Sequence, residues 1–379
     1  MQKRLAAINC VVLAVILAVA FLSPPSIKAA GFNTLGLPVP INVDGERVRS
    51  SLLIQFEIER YEVAFEAFAG GTLDAFETAF RDFTMALRAG DEARVAALRP
   101  GDSPAQVREI TTRYQGAFAG PQTIKVVGRV RVGDAQLFVW EWPGPKGPMR
   151  RGFTVEAAAN GSRRVEIVYS GRPLETLIVD VLQQEAVHPR EYAPVEPRVR
   201  YRYAFPLSGL GKASAHPVLM LFNGEILDVE MFSAVPPAKA GETRSVGPGA
   251  GNPLAAYRTA YGALRDRNVE RFSESYTDKS RTKLRAWFQK MSPEELNSYY
   301  ASAMQPRALR FILNADPVTL VFYTIGTEKR LRYEYLVKSR EGYKLTNAYS
   351  ESFLDDVLGN TALFPTELES FMKNVLAIN

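Results

Sequence analysis

The chain carries one pattern twice, and a repeat constrains a fold more than any single motif, because each copy must close a core of its own. Residues 75–98 read AFETAFRDFTMALRAGDEARVAAL, and residues 253–276 read PLAAYRTAYGALRDRNVERFSESY. Phe76, Phe80, Phe83 and Leu87 recur at helical spacing, as do Tyr257, Tyr261 and Leu264. A turn is expected after each helix, at Gly90-Asp91 and at Arg267-Asn268. Ser103-Pro-Ala-Gln106 and Ser292-Pro-Glu-Glu295 then open a further helix in each copy. In both, a Ser hydroxyl can cap the helix, Pro takes the first helical position, and Gln or Glu three residues on can reach back.

Strands are expected next, at 123–132, 135–142, 151–158 and 163–170 in the first copy and at 308–314, 318–325, 329–338 and 343–350 in the second. Leu331, Tyr333, Tyr335 and Val337 alternate as one face of a half-buried sheet does. Landmarks keep their order: Pro121 with Pro306, Asp134 with Asp316, Gly144 with Gly326, and Tyr169-Ser170 with Tyr349-Ser350, the last three about 180 residues apart. An ordered series of this kind argues for duplication. Each copy thus reads as three helices followed by a curved antiparallel sheet, which is the α+β class.

The first helix ending in Leu87-Arg-Ala-Gly-Asp91, its counterpart ending in Leu264-Arg-Asp-Arg-Asn268, and the final strand Gly342-Tyr-Lys-Leu-Thr-Asn-Ala-Tyr349 carry a resemblance. Over about two thirds of the chain the pattern resembles the nuclear-transport-factor-2-like cone, the superfamily of ketosteroid isomerase, SnoaL-type cyclases and scytalone dehydratase. The resemblance implies two cone-shaped domains in tandem, each enclosing a pocket between helices and concave sheet, in which some members perform acid–base chemistry. It also implies that the two sheets pair face to face as an intramolecular pseudo-dimer, so that the chain is a monomer.

The expected organisation is a leader at 1–30, a first cone at 31–185, a β-hairpin extension at 186–235, a Pro/Gly-rich linker at 236–252 and a second cone at 253–379. Ile54, Ile58, Tyr61, Phe65 and Phe68 form a helical seam ended by Gly70-Gly71, so an extra leading helix is expected there, although Ile54, Phe56 and Ile58 also fit a strand. Asn223-Gly224 between apolar runs is the hairpin signal. Leu368, Phe371, Met372 and Val375 predict a C-terminal helix.

Lys3 and Arg4 precede an apolar run at 5–22 broken only by Asn9, and Pro24-Pro25 and small residues at Ala29-Ala30 follow. This is the layout of a secretory signal peptide. About 18 apolar residues also reach the lower limit of a membrane span, so an uncleaved inner-membrane anchor is the alternative. Periplasmic or extracellular export is the expectation. Of the 379 residues, 46 are Lys or Arg and 41 are Asp or Glu, a net charge of +5. Lys3, Arg4 and Lys28 belong to the leader, so the remainder is nearly neutral and a nucleic-acid partner loses its support.

The only cysteine, Cys10, lies in the leader, and the only histidines, His188 and His216, are each followed by Pro. No disulfide framework, metal centre, cofactor or catalytic residue is expected from that inventory. No nucleophile elbow, phosphate-binding loop or dinucleotide fingerprint occurs. Alternation places Trp140 and Trp142 opposite Glu141, and Tyr333 and Tyr335 opposite Glu334. If the rings face the cavity, both carboxylates point away from it. The aromatic set Phe80, Trp140, Trp142, Phe153, Tyr257, Tyr261, Phe322, Tyr333 and Tyr335 is then either plain core or the wall of a shallow ligand site. These features favour a non-catalytic protein binding an envelope partner or an apolar small molecule. An isomerase, cyclase or dehydratase with one active cone is the alternative.

Overall fold

The structure, a computed structural model, describes residues 31–118, 123–158, 160–168, 173–194, 203–205, 218–222, 229–231, 252–327 and 332–346. The expected leader, nearly all of the linker, the C-terminal helix and His216 lie outside these residues. The chain is an α+β fold in two compact units. One unit takes Glu57–Val168 and the residues up to Asn33, and the other takes Thr34–Phe56 and the chain from Tyr169 onward. Residues 34–56 thus group with the second unit, not with the residues that follow them directly in sequence.

In the first unit, Asp74 caps α2 (Ala75–Ala89), which follows the short helix α1 (Phe65–Ala69). The Asp74 carboxylate accepts from the Phe76 and Glu77 backbone N–H groups while Glu77 accepts from the Asp74 N–H, a reciprocal capping box. Gly90 ends the helix in the left-handed region at φ 69°, and Asp91 caps α3 (Glu92–Leu98). The expected pair of Ser103 and Gln106 opens α4 (Pro104–Phe118), with bonds of 3.3 and 2.8 Å.

Strands β3 (Lys125–Val132), β4 (Ala135–Gly144), β5 (Gly147–Ala157) and β6 (Arg163–Ile167) form an antiparallel meander. The C-terminal part of β2 (Glu46–Ala64) pairs with β3 at its edge. Phe80, Phe83 and Leu87 from α2 bury against Phe138, Trp140, Phe153 and Val155 of the sheet. Alternation along β4 therefore sends Phe138 and Trp140 toward the helices.

The second unit repeats this grammar. Helix α6 (Pro253–Arg265) is followed by Arg267 at φ 57°, and Asn268 caps α7 (Val269–Glu274). Two further helices follow, α8 (Asp278–Phe288) and α9 (Pro293–Met304), the latter opened by a Ser292/Glu295 capping box. Strands β10 (Arg307–Ala315), β11 (Val318–Ile325), β12 (Arg332–Ser339) and β13 (Gly342–Leu345) form the meander. Helix α5 (Pro173–Val187) and the short strands β7 (Tyr203–Phe205), β8 (Val218–Phe222) and β9 (Val229–Met231) precede them, and β9 pairs with β10.

Both meanders carry an irregularity at the same place. One extra residue interrupts the first strand, Val127 in β3 and Arg310 in β10, and five paired positions then lead to a two-residue turn. The register sets Gly133-Asp134 against Asp316-Pro317, one position away from the pairing of the two aspartates that the sequence suggested. In each unit the strand beside this bulged one comes from ahead of the helices.

One expectation needs correction. The seam from Ile54 to Phe68 is not a helix: β2 runs to Ala64 and only Phe65–Ala69 is helical. Leu52, Leu53, Ile54, Gln55 and Phe56 are all buried, so both faces of this strand are covered and its apolar run mimics a helical seam. Its partners, Met220–Phe222 for Leu52–Ile54 and Gly128–Val130 for Ile58–Arg60, are too distant in sequence for local periodicity to register. Asn223-Gly224 and the start of the run after it lie outside the described residues; of the flanking runs, β8 pairs with β2 and β7 and β9 pairs with β10.

Strand β1 (Asn33–Val43) returns into β2 through Asp44-Gly45, both at positive φ (55° and 85°), as a tight hairpin requires. The Asp44 carboxylate accepts from Thr277 Oγ1 at 2.6 Å, Thr346 Oγ1 at 3.1 Å and Ser280 Oγ. Thr277 makes no capping bond of its own at the start of α8, and Asp44 holds its hydroxyl and brings negative charge there. Asp44→Ala is expected to destabilise the second unit by about 1.5–3 kcal/mol, the range for hydrogen bonds to a charged group. An unchanged urea midpoint for unfolding would contradict this role.

Candidate functional site

In the first unit, a pocket of about 350 Å³ lies where β2, the segment after α1, the start of α2 and β3 meet. Tyr61, Phe68, Gly71, Thr72, Leu73, Asp74, Glu77 and Arg129 line it. A backbone irregularity builds it. Arg60 pairs with Gly128 and Val63 with Val126, so Tyr61 and Glu62 bulge out of β2, with Glu62 at φ 48°. Gly128 permits the close approach at that point, because a Cβ there would lie 2.4 Å from the Glu59 carbonyl oxygen.

The bulge delivers the Tyr61 hydroxyl to two carboxylates. It donates to Glu77 Oε1 at 2.5 Å and lies 3.3 Å from Glu59 Oε2. Arg129 Nε donates to Glu59 Oε2 at 2.5 Å, and its Nη1 donates to Asp74 Oδ2 and to Gln136 Oε1 at 3.1 Å. Burial, reinforced by the Glu77 hydrogen bond, pushes the Tyr61 phenol well above its ordinary range. Burial alone would raise the Asp74 carboxyl, but Arg129 and the helix N–H groups hold it below its usual value. Burial alone would lower the Arg129 guanidinium, and its anionic neighbours hold it above. The start of α2 thus presents two carboxylates to the pocket with their geometry fixed by the capping box.

The sequence-derived aromatic residues fall into three places. Trp140 and Phe153 are fully buried in the first unit, with Trp142 stacked on Trp140 at 4.8 Å. They pack with Phe80, Phe138, Tyr114 and Phe118 and fill the space between helices and sheet. Tyr257 and Tyr261 pack together on the helix side of the second sheet. Phe322, Tyr333 and Tyr335 form a separate row on the opposite face of that sheet, with ring spacings of 5.2 and 5.4 Å.

That last placement reverses an expectation. On β12 it is Glu334 that faces the helices, where it accepts from Tyr261 at 2.5 Å and Tyr323 at 2.9 Å. The register explains it: Glu334 pairs with Val321, whose side of the sheet holds the core, and Tyr333 pairs with Phe322 on the other side. Arg307 covers the Tyr261 ring at 3.8 Å and donates to Tyr257 Oη at 3.2 Å. Burial, followed by the Glu334 charge, raises the Tyr261 and Tyr276 phenols well above their ordinary values, and Tyr299 is pushed up to about 12 by the same causes. Tyr323, Arg307 and the inward Glu334 are the residues that sequence reasoning missed here.

His188 is exposed, with Tyr192 as a ring neighbour at 6.3 Å. Among the described residues no group of three or more His, Cys, Asp or Glu is arranged to hold a metal ion, and no helix is long and apolar enough to cross a membrane.

No family model matches the sequence, and no curated protein is significantly similar to it. Among solved structures, a cystatin-like protein from Ruminococcus gnavus ATCC 29149 is similar at 10% identity, over 71% of this chain and 72% of that one, with a TM-score of 0.14. A likeness of that size carries no argument about fold or function.

Proposed function

We propose that this chain is an exported, non-catalytic binding protein built from two related units of the nuclear-transport-factor-2-like kind, with the first unit's pocket as its ligand site. The observation that carries the reading is where the open space lies. The interior between helices and sheet in the first unit is occupied by stacked rings, and the pocket sits beside it, walled by Tyr61, Phe68, Asp74, Glu77 and Arg129. A small molecule with an apolar body, or a side chain of an envelope partner, suits a site of this size and mixed lining. The matching bulges at Val127 and Arg310, the left-handed residues Gly90 and Arg267, and the caps Asp91 and Asn268 support descent of both units from one.

The enzyme alternative has one observation in its favour, an inward carboxylate with tyrosine donors at Glu334. Both lone pairs of its Oε1 are already engaged by Tyr261 and Tyr323. Through that one oxygen the two phenols tie α6 and β11 to β12. We therefore assign this cluster to holding the helices on the second sheet.

The binding site is tested by blocking it. Thr72 is exposed on the pocket wall, so Thr72→Trp fills the space with little cost to folding. In a ligand-observed NMR screen of small molecules, hits on the wild type are expected to vanish with Thr72→Trp while the melting curve is retained. Hits that persist in the variant place binding elsewhere and overturn the assignment.

A further inference from the structure

We infer that the first unit's pocket takes an organic ammonium ion with an apolar body, an inference that rests on the reading of this pocket as a ligand site. The charges around it do not balance. Three carboxylates, Glu59, Asp74 and Glu77, surround a single guanidinium, Arg129. The next cation along the strand, Arg131, is already paired with Glu57 at 2.8 Å.

The imbalance is also visible atom by atom. Asp74 is fully engaged, with Oδ1 taking the helix N–H groups and Oδ2 taking Arg129. Glu77 Oε1 receives only the Tyr61 hydroxyl at hydrogen-bond distance, while Arg129 Nη1 stays 3.8 Å away. Glu59 is 1% exposed, holds Arg129 and meets Tyr61 through Oε2, and leaves Oε1 buried without a hydrogen-bond partner. Arg129 is thus already spent on Glu59 behind the wall and on Asp74, and a cation entering the pocket beside Glu77 offsets the remaining excess of negative charge.

The rest of the wall suits the body of such a ligand. The Tyr61 and Phe68 rings meet edge to face at 5.3 Å, and Leu73 adds an aliphatic surface. Aromatic faces attract cations as well as apolar groups. An anion of the same shape meets carboxylates first, and a neutral isostere gains the apolar contacts alone.

The test uses three probes of one shape: phenethylammonium, 2-phenylethanol and phenylacetate, each titrated calorimetrically into the full chain. The ammonium is expected to bind at least about tenfold tighter than the alcohol, with phenylacetate weakest. Glu77→Gln keeps one acceptor, for the Asp74 N–H, and turns its amide NH2 toward the Tyr61 oxygen, which can accept it; it is expected to bring the ammonium close to the alcohol. The wild-type ranking decides the question even if that variant folds poorly. Equal binding of ammonium and alcohol, or tightest binding of phenylacetate, overturns the ammonium assignment and leaves the pocket a ligand site. Binding of none of the three also overturns it, whereas loss of the pocket itself is reported separately by hits that ignore Thr72→Trp.

Discussion

Phe80→Ala is expected to cost the first unit about 3–5 kcal/mol, the range for truncating a fully buried aromatic ring. Phe80 is completely buried, stacks on Phe138 at 4.6 Å, and meets Phe65, Phe68 and Phe153 at 6.4, 5.7 and 6.2 Å. Its neighbours come from the short helix α1 and from two adjacent strands, so no single movement closes the gap. Urea unfolding read by fluorescence of Trp140 and Trp142, which lie in the same cluster, reports the change. The variant has a second readout. An apolar cavity of that size binds benzene-like molecules, so an aromatic probe should bind the variant's interior and not the wild type's. A loss below about 1 kcal/mol would mean that the interior is loosely filled, and the case for placing the ligand in the neighbouring pocket would fall with it.

Arg99→Ala is expected to cost about 3–5 kcal/mol by a different route, the removal of one partner from a buried ion cluster. Arg99 is 4% exposed and ties the end of α3 to β6. Its Nε donates to Asp102 at 2.6 Å, and its Nη1 donates to the Val165 carbonyl at 2.9 Å and lies 3.1 Å from Glu166. Without the guanidinium, the buried Glu166 retains only Arg164, and the Val165 carbonyl loses a donor. Arg99→Lys is expected to fall between, since a single ammonium cannot reproduce the fork. Equal urea midpoints for wild type and Arg99→Ala would show that the cluster contributes nothing net.

The two residues differ in how far the sequence reveals them. Phe80 belongs to a seam with Phe76, Phe83 and Leu87 that periodicity exposes directly. Arg99 has no such mark, since its partner Glu166 lies on the far strand of the sheet. The Asp44-Gly45 dipeptide did carry a hairpin signal, and reading it would have shown β1 and β2 as strands ahead of the first helices.

What the sequence determined by itself is the local grammar. The α+β class, the capping boxes at Ser103 and Ser292, the turns at Gly90-Asp91 and Arg267-Asn268, and the positions of β4 and β11 all depend on residues a few places apart. Tertiary structure alone decided which face of each strand meets the helices and where the open space lies. Alternation separates Glu334 from Tyr333 and Tyr335 but leaves the inward side undetermined, because Phe322 and Tyr335 are as deeply buried on the other face as the core residues are. Only pairing with Val321 turns Glu334 inward. The pocket follows the same logic. Tyr61 reaches Glu77 because β2 bulges against Gly128, and one such irregularity changes the side to which every later residue points.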